Sequence, residues 1–273
     1  MSMKPIYVRF DIDTITCMDQ GVPRLLDLAA RLDVGFTFFV NLGRSIDRNE
    51  VLYRSASRTV DNVRGGTKKI SVLKKLGVLD TLRTLVFNPE VGSRRHDLLR
   101  QLLESGHELG LHGGGNHGTW QRTGGGADGA RFGCWVQEKL TEYRRHVPLG
   151  GGFASPGAAA NDELYPVLQK QGFAYSSDDF GSREIYQRSN GLWEVPVTAH
   201  FETVPFIEHF RAAGHDAGEV VAKMVKWASE NHLRTFYGHP VWEGFRDQRL
   251  FERILKTWID QGFQIRPYGE ALA

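Results

Sequence analysis

Residues 6–14 read IYVRFDIDT, a largely apolar run that ends in two aspartates. Side chains alternate along a strand, so Phe10 and Ile12 face one way while Asp11 and Asp13 face the other, about 7 Å apart. Two carboxylates at the end of a buried strand are costly unless a cation or a proton compensates them. The stretch therefore predicts a buried strand that is followed either by a solvated turn or by a site for a cation.

Further apolar or alternating runs follow the first one, and most are separated by segments of helical period. The predicted strands are 6–13, 35–40, 108–111, 152–155, 173–177, 192–198, 235–237 and 263–267. Strands that alternate with helices form a parallel sheet, and no dinucleotide-binding glycine pattern follows the first strand. We therefore predict a single α/β domain over residues 1–273, and this length favours a distorted (β/α) barrel over a flat doubly wound sheet.

The composition is that of an ordinary globular protein, with 41% hydrophobic residues and 34 Lys and Arg against 32 Asp and Glu. This balance of charge predicts no binding to nucleic acid. The chain has no long apolar run of membrane-spanning length, and MSMKPIYVRF leads directly into a strand without the apolar core of a signal peptide. Because Cys17 and Cys134 are too few for a disulfide scaffold, a cytoplasmic protein is predicted.

A basic segment interrupts the βα pattern at 54–87, where the Lys and Arg residues exceed the Asp residues by six and leave −4 on the rest of the chain. The segment lies in a predicted insertion of the single domain, at about 44–95. Its apolar residues fall on one helical arc, formed by Val72, Leu73, Leu76, Leu79, Leu82 and Val86. Two interpretations stay open: a solvated insertion packed on the barrel, and a basic amphipathic helix that contacts a membrane surface or an anionic substrate.

Two histidines flank a run of glycines in residues 105–117, which read SGHELGLHGGGNH. The glycines between His112 and His117 let the backbone fold tightly, so that both imidazoles can reach one ion. Two imidazoles and one carboxylate, with an open position for water, are the usual ligands of a catalytic zinc that activates this water. His107 precedes the strand and is interpreted as a structural histidine.

A further histidine follows the strand at 235–237, in the stretch RTFYGHP. Active sites of (β/α) barrels collect side chains from the carboxyl ends of several strands. Histidine titrates near neutral pH, so His239 is suited to proton transfer. We therefore expect His239 to share one pocket with Asp11, Asp13, His112 and His117.

Five stretches resemble, in their order and spacing, the five motifs of the polysaccharide deacetylases, the NodB-homology group of carbohydrate esterase family 4. These stretches are residues 10–13, the pair His112 and His117, and residues 154–157, 175–179 and 237–240. GVPRLL at 21–26 and EVPVT at 194–198 are similar to the branch that deformylates 4-deoxy-4-formamido-L-arabinose on undecaprenyl phosphate. The resemblance extends over nearly the whole chain.

This resemblance implies a NodB-like distorted barrel of about seven strands and an amidohydrolase that removes a formyl or acetyl group from the nitrogen of an amino sugar. By the same resemblance, Asp11 is the general base and His239 protonates the departing amine. Asp13, His112 and His117 hold a divalent metal, for which zinc is expected, and this metal and backbone N–H groups stabilise the oxyanion. A lipid-linked substrate would imply peripheral contact with anionic lipid at the inner membrane surface.

Three positions depart from the pattern of the family. The usual histidine pair is four residues apart, which here falls on Asn116, so the glycine turn must bulge to bring in His117. Ala154 stands where the third motif normally begins with an arginine that helps to orient the base, and Ile12 separates two aspartates that are usually adjacent. A hydrolase that works without a metal therefore stays an alternative.

Two other functions compete with hydrolysis of a lipid-linked sugar. A soluble chitooligosaccharide, peptidoglycan or a small cyclic amide could be the substrate, with sugar rings stacked on Trp120, Trp135 or Trp242. The chain could also be a non-catalytic barrel that binds carbohydrate or lipid. The presence of Asp11 and His239 disfavours this last hypothesis, because a binding module needs neither a base nor an acid.

Overall fold

The computed structural model describes residues 4–45, 78–116 and 151–273, together with 120, 134, 136–138, 140 and 141. In these residues the longest strand is β1, Lys4–Ile12. The other strands are β2 Thr37–Val40, β3 Glu108–His112, β4 Gly152–Ala154, β5 Tyr175–Ser176, β6 Tyr186–Gln187, β7 Trp193–Glu194, β8 His200–Phe201, β9 Val204–Pro205, β10 Thr235–Gly238 and β11 Phe263–Arg266.

Seven strands lie side by side and parallel in the order β10-β1-β2-β3-β4-β5-β7. β6 continues this sheet antiparallel to β7, and β11 pairs in parallel with the first half of β1. Beyond β7, Ala199 forms an isolated parallel bridge with Phe236 of β10, which brings the two ends of the row together. The predicted distorted (β/α) barrel of about seven strands is confirmed, and every predicted strand has its counterpart in this sheet.

The alternation of side chains along β1 separates two cores. Val8, Phe10 and Ile12 are fully buried in the main core against the helices, and the ring centroid of Phe10 lies 5.3–6.5 Å from four other phenylalanine rings. Arg9 and Asp11 point to the opposite, inner side of the curled sheet, where a smaller cluster is formed by Phe39, Ala154, Tyr175, Val195 and Tyr268. The inner side therefore holds both apolar rings and buried charge.

Seven α-helices occur in the described part of the chain. They are α1 Val22–Leu32, α2 Val78–Val86, α3 His96–Glu104, α4 Leu164–Lys170, α5 Phe206–Ala212, α6 Ala217–Glu230 and α7 Gln248–Asp260. The apolar residues at 22–32, 98–103, 220–228 and 251–259 recur with helical period and predict four helices. These correspond to α1, α3, α6 and α7, whose buried residues pack in the main core. None of the helices in the described ranges combines the length and the hydropathy needed to span a bilayer.

The predicted insertion at about 44–95 is described only in part. Its helix α2 has an unusual distribution of side chains, because Thr84 is buried while Leu82, Val86 and the following Phe87 are exposed. The apolar arc that the sequence predicts thus faces outward at Leu82 and Val86. Residues 46–77, which carry most of the basic charge, lie outside the described residues.

Candidate active site

Four of the five predicted site residues come together at the carboxyl end of the sheet. Asp11 lies near the end of β1 and Asp13 directly after it, His112 ends β3, and His239 follows β10. β10 and β2 flank β1, and β3 lies beyond β2, so the ends of these strands meet at one edge. His117, the fifth residue, lies outside the described residues.

Asp13 lies at the centre of this cluster, because each of its carboxylate oxygens contacts a different histidine. Oδ1 lies 3.0 Å from Nε2 of His112, and Oδ2 lies 3.3 Å from Nε2 of His239. Burial alone lowers the pKa of His112, but the negative charges of Asp11 and Asp13 outweigh it and raise the pKa above its ordinary value. One carboxylate therefore links histidines from two different strands.

Asp11 is paired with a buried arginine, Arg9, that was not predicted as a site residue from the sequence. Nη2 of Arg9 lies 3.2 Å from Oδ2 of Asp11, and Nη1 donates to the carbonyl of Ser177 at 2.6 Å. Oδ1 of Asp11 is buried and has no hydrogen-bond partner among the described residues. Burial lowers the pKa of Arg9, but Asp11 above all raises it beyond its ordinary value. Arg9 could have been found from the sequence, since it lies two positions before Asp11 on the same strand face.

Two buried glutamates hold His239. Oε1 of Glu208, from α5, lies 2.5 Å from Nδ1 of His239, and the backbone N–H of His239 donates to Oε2 of Glu243 at 2.8 Å. Burial, and then the charge of Glu208, raise the pKa of Glu243 to about 8. Neither glutamate was predicted from the sequence. Glu243 lies four residues after His239, whereas no local pattern connects Glu208 with the site.

The turn after β3 is built from glycines that lie against other loops. Gly113 and Gly115 have φ of +66° and +95°, which favour glycine, and an added Cβ on Gly43 would lie 2.0 Å from the carbonyl oxygen of Gly115. In this turn Oδ1 of Asn116 accepts a hydrogen bond of 3.2 Å from the backbone N–H of Arg44. Asn116 stands where the family usually has its second histidine, and here its hydrogen bond connects the turn to the loop after β2.

Part of the predicted metal site fits a divalent ion. Oδ1 of Asp13 and Nε2 of His112 lie 3.0 Å apart, and zinc bonds to oxygen and nitrogen are about 2.0–2.2 Å long, so both atoms can reach one ion. Within the ranges that the structure describes, no three His, Cys, Asp or Glu side chains are grouped as a complete ligand set. The donors present therefore supply two ligands of suitable chemistry, and a third must come from elsewhere.

A buried polar cluster fixes the loops beside the site. Oδ1 and Oδ2 of Asp178 accept hydrogen bonds from the backbone N–H and the hydroxyl of Ser155, at 2.5 and 3.0 Å. Glu194 accepts from the N–H of Asp178 at 2.7 Å and forms an ion pair of 2.7 Å with Arg188, which lies over the ring of Tyr165. Burial, and then Glu194, raise the pKa of Asp178 to about 7. These contacts join the loops after β4 and β5 to β7.

Two π-helical segments come shortly after the site residues. Cys17–Gly21 follows Asp13, and Val241–Arg246 follows His239. An added Cβ on Gly21 would lie 2.1 Å from the carbonyl oxygen of Pro240, so the two segments are in direct backbone contact. π-Helical turns are rare and occur frequently at functional sites, which agrees with their position here.

The predicted stacking of sugar rings on tryptophans is wrong for two of the three residues. Trp120 is 0% exposed and donates through Nε1 to the carbonyl of Ala159, and Trp242 is 6% exposed. Both rings are packed in the main core. The side chain of Trp135 lies outside the described residues. His107 is a structural histidine, as predicted, since it is buried and its Nδ1 accepts the N–H of Phe36.

The similarity of this chain to known proteins extends over nearly its whole length. No family model matches the sequence. A curated protein of Shewanella sediminis is 25% identical over 289 residues, which cover 97% of this chain and 85% of that protein. It carries the name 4-deoxy-4-formamido-L-arabinose-phosphoundecaprenol deformylase.

Solved structures share the fold at lower sequence identity. A Mycobacterium smegmatis protein assigned as a polysaccharide deacetylase has a TM-score of 0.61 and 15% identity, with 98% of this chain and 89% of that chain covered. The peptidoglycan deacetylase PdaC of Bacillus subtilis has a TM-score of 0.52 and 14% identity, with 99% and 90% covered. A pseudoenzyme of carbohydrate esterase family 4 from Bacillus anthracis has a TM-score of 0.56 and 11% identity, with 100% and 66% covered. The resemblance of the chain to the polysaccharide deacetylases of carbohydrate esterase family 4, and to their deformylase branch, is thereby confirmed.

Proposed function

We propose that this protein hydrolyses the N-acyl group of an amino sugar and releases formate or acetate. The observation that carries the proposal is the convergence of Asp11, Asp13, His112 and His239 at one edge of the sheet, with Asp13 in contact with both histidines. Amide hydrolysis needs a base for the attacking water and an acid for the departing amine, and the site offers a candidate for each. The names of the curated Shewanella sediminis relative and of the peptidoglycan deacetylase PdaC support hydrolysis of an N-acyl group as the reaction class.

In the proposed mechanism, Asp11 and His239 move the protons. Oδ1 of Asp11, the oxygen that Arg9 does not contact, accepts a proton as water adds to the carbonyl carbon. His239 then gives a proton to the nitrogen as the C–N bond breaks, while Glu208 holds Nδ1 and keeps the ring oriented. Carboxylic acid and free amine are the products, and the proton taken from water replaces the one that His239 has lost.

Asp13, His112 and, as the third ligand, His117 would hold a divalent metal, for which zinc is the expected ion. When bound, such an ion acts as a Lewis acid and lowers the pKa of a water ligand to about 7. His117 is proposed as the third ligand because Oδ1 of Asn116 is already bonded to the N–H of Arg44.

A lipid-linked substrate is the finer part of the proposal. α2 and the residue after it carry five exposed apolar side chains, Val78, Leu82, Leu85, Val86 and Phe87. The segment 54–87, which contains these residues, has an excess of six positive charges, which complements an anionic membrane surface or a phosphate group. The name of the curated relative includes a phosphoundecaprenol, a substrate that would lie at such a surface. We therefore propose peripheral contact between these apolar side chains and anionic lipid at the cytoplasmic face of a membrane.

Asp11→Asn tests the reaction. With N-formyl and N-acetyl amino sugars as substrates, we expect the wild type to release formate or acetate and the variant to lose about 10²–10⁴-fold in kcat. Asparagine can still accept a hydrogen bond from Arg9 but leaves its buried charge uncompensated, so the free energy of unfolding should fall by about 3–5 kcal/mol. Thermal melting separates the two effects. A folded variant with wild-type turnover would contradict the mechanism, and a wild type inactive on every N-acyl sugar would favour a non-catalytic barrel.

A further inference from the structure

The guanidinium of Arg9 is enclosed on the inner side of the sheet. The side chain is 2% exposed, and its Cζ lies 5.2 Å from the ring centroid of Phe39, 5.3 Å from that of Tyr237 and 5.7 Å from that of Tyr268. Three aromatic faces thus surround a planar cation, an arrangement that attracts the charge and restricts the side chain. The hydrogen bond of Nη1 to the carbonyl of Ser177 fixes the guanidinium plane further.

This fixed cation makes the two oxygens of Asp11 unequal. Oδ2 is bound by Nη2 of Arg9 at 3.2 Å, whereas Oδ1 is buried and has no hydrogen-bond partner in the described part of the chain. Rotation of the carboxylate would exchange the two oxygens. The hydrogen bond between Oδ2 and the restrained guanidinium of Arg9 opposes this rotation. Such a restraint raises the rate of proton transfer to a carboxylate, because the oxygen that accepts the proton is oriented before the substrate arrives.

A buried arginine is also a poor choice for stability alone. Burial of an ion pair costs desolvation free energy that the attraction between the partners often fails to recover, and replacement of both partners by apolar residues of similar volume is often neutral or stabilising. The rings of Phe39, Tyr237 and Tyr268 would accept an apolar side chain at position 9. The charge is therefore better explained by its effect on Asp11 than by its contribution to folding.

We infer that Arg9 is a positioning residue for the proposed hydrolysis, which holds the carboxylate of Asp11 by Oδ2 and leaves Oδ1 directed to the reacting water. This inference rests on the proposed function. Arg9 touches neither water nor substrate in this scheme and acts only through Asp11. Its loss should therefore reduce kcat at nearly unchanged KM, and should have no effect once Asp11 has been removed.

A double-mutant cycle tests this inference with p-nitrophenyl acetate, an activated ester whose hydrolysis needs the base but no recognition of a sugar. Arg9→Lys keeps a positive charge but loses the planar fork, so we expect kcat to fall about 10–100-fold and KM to change by less than about threefold. Arg9→Met should lower kcat further. In the Asp11→Asn background, Arg9→Lys should change the residual rate by less than about threefold.

Arg188→Lys is the matched control. Like Arg9, Arg188 is paired with a carboxylate and stacked on an aromatic ring, but it contacts Glu194 and not Asp11. This variant should leave kcat within about threefold of the wild type. Circular dichroism checks that each variant folds. If Arg9→Met does not fold, the kinetics of Arg9→Lys alone test the inference. Arg9→Lys with wild-type kcat, or with an equal loss in the Asp11→Asn background, would overturn the inference. If Asp11→Asn itself keeps full ester hydrolysis, the proposed base is wrong instead.

Discussion

Single residues decide which atoms of the site remain available for chemistry. Both oxygens of Asp13 contact histidines, and Nδ1 of His239 contacts Glu208, whereas Oδ1 of Asp11 has no hydrogen-bond partner among the described residues. A buried carboxylate oxygen forms stronger hydrogen bonds than an exposed one, because the local dielectric constant is low. This difference supports the proposal of Asp11 as the base, whereas Asp13 links the two histidines.

The third metal ligand can be identified by comparing two neighbouring residues. His117→Ala should reduce bound zinc from about one ion per chain toward none, because an imidazole ligand is removed. Asn116→Ala should keep the ion, since Oδ1 of Asn116 binds the N–H of Arg44 instead. Metal analysis by mass spectrometry after dialysis against zinc measures both. Loss of zinc from Asn116→Ala together with retention by His117→Ala would reverse the assignment.

Glu243 should make stability depend on pH. Its pKa rises from 4.5 to about 8 on folding, so between these values the folded protein binds a proton that the unfolded chain has released. The free energy of unfolding therefore falls as the pH rises through this window, by up to about 1.4 kcal/mol per pH unit. Glu243→Gln, which cannot ionise, should flatten this decline.

Urea unfolding of both proteins at several pH values from 5 to 8 measures the effect of Glu243. Asp178 also has a raised pKa, about 7, but it is present in both proteins, so the difference between them isolates Glu243. Equal pH dependence in the wild type and in Glu243→Gln would show that the glutamate is ionised when folded. The fully buried position of Glu243 argues against that outcome.

At the scale of secondary-structure elements, the two π-helical segments connect the motifs around Asp13 and His239. Cys17–Gly21 and Val241–Arg246 meet where Gly21 touches the carbonyl of Pro240 and where an added Cβ on Gly244 would lie 2.4 Å from the carbonyl oxygen of Gly21. Glycine is needed at this contact for space, since the backbones approach too closely for any side chain.

Gly21→Ala should therefore disturb both stability and catalysis. The added methyl would lie 2.1 Å from the carbonyl oxygen of Pro240, so one segment must shift, at a cost of about 1–3 kcal/mol or more. Because His239 directly precedes Pro240, kcat should fall as well. Gly181→Ala is the control, since its methyl would meet its nearest neighbour, Oδ1 of Asp179, at 3.4 Å. Thermal melting and turnover measure both variants, and an unaffected Gly21→Ala would contradict this packing.

α2 presents its apolar side chains outward, which is unusual for a helix of a globular protein. The triple substitution Leu82→Ser, Val86→Ser and Phe87→Ser should weaken binding to vesicles of anionic phospholipid at least about tenfold, because each apolar chain buried in lipid contributes about 1.5–3 kcal/mol. Leu103→Ser, which removes an exposed leucine from α3, should bind as the wild type does. Vesicle sedimentation measures this. Equal binding of all three proteins would remove the support for membrane contact through α2.

The sequence also predicts a contribution of charge to the same contact. Reversal of Lys68, Lys69, Lys74 and Lys75 should weaken binding to the same vesicles, since each basic residue near anionic lipid contributes about 1 kcal/mol. Added salt should weaken binding of the wild type in the same way. These four lysines lie outside the described residues, so this expectation rests on the sequence alone.

At the scale of the whole molecule, the curled parallel sheet creates the site. Parallel strands all end at one edge, and the curl brings β10 beside β1 although about two hundred residues separate them in the chain. Asp13, His112 and His239 meet for this reason. The same topology carries α5 from the β8–β9 hairpin to the site, where Glu208 reaches His239.

The sheet was predictable because most of its strands are marked by apolar runs, and α1, α3, α6 and α7 by apolar faces. β6, β8 and β9 were not predicted, because each has only two residues and lies outside the predicted apolar runs. β5 and β7 are equally short but lie within the longer runs 173–177 and 192–198. The site was predictable where its residues follow strands directly, as Asp13, His112 and His239 do. Glu208 was not, because it lies on a helix with no motif and reaches the site only through tertiary packing.

The order of strands and helices, the two aspartates at the end of β1 and the strand face that Arg9 shares with Asp11 can be derived from the sequence without a structure. These features depend on residues a few positions apart, whose geometry is set by the local backbone. Three contacts could be seen only in the folded chain: Asp13 touches two histidines, Glu208 contacts Nδ1 of His239, and Trp120 is buried rather than available to a sugar. Such contacts depend on how the sheet curls and how the loops pack, which no short stretch of sequence specifies.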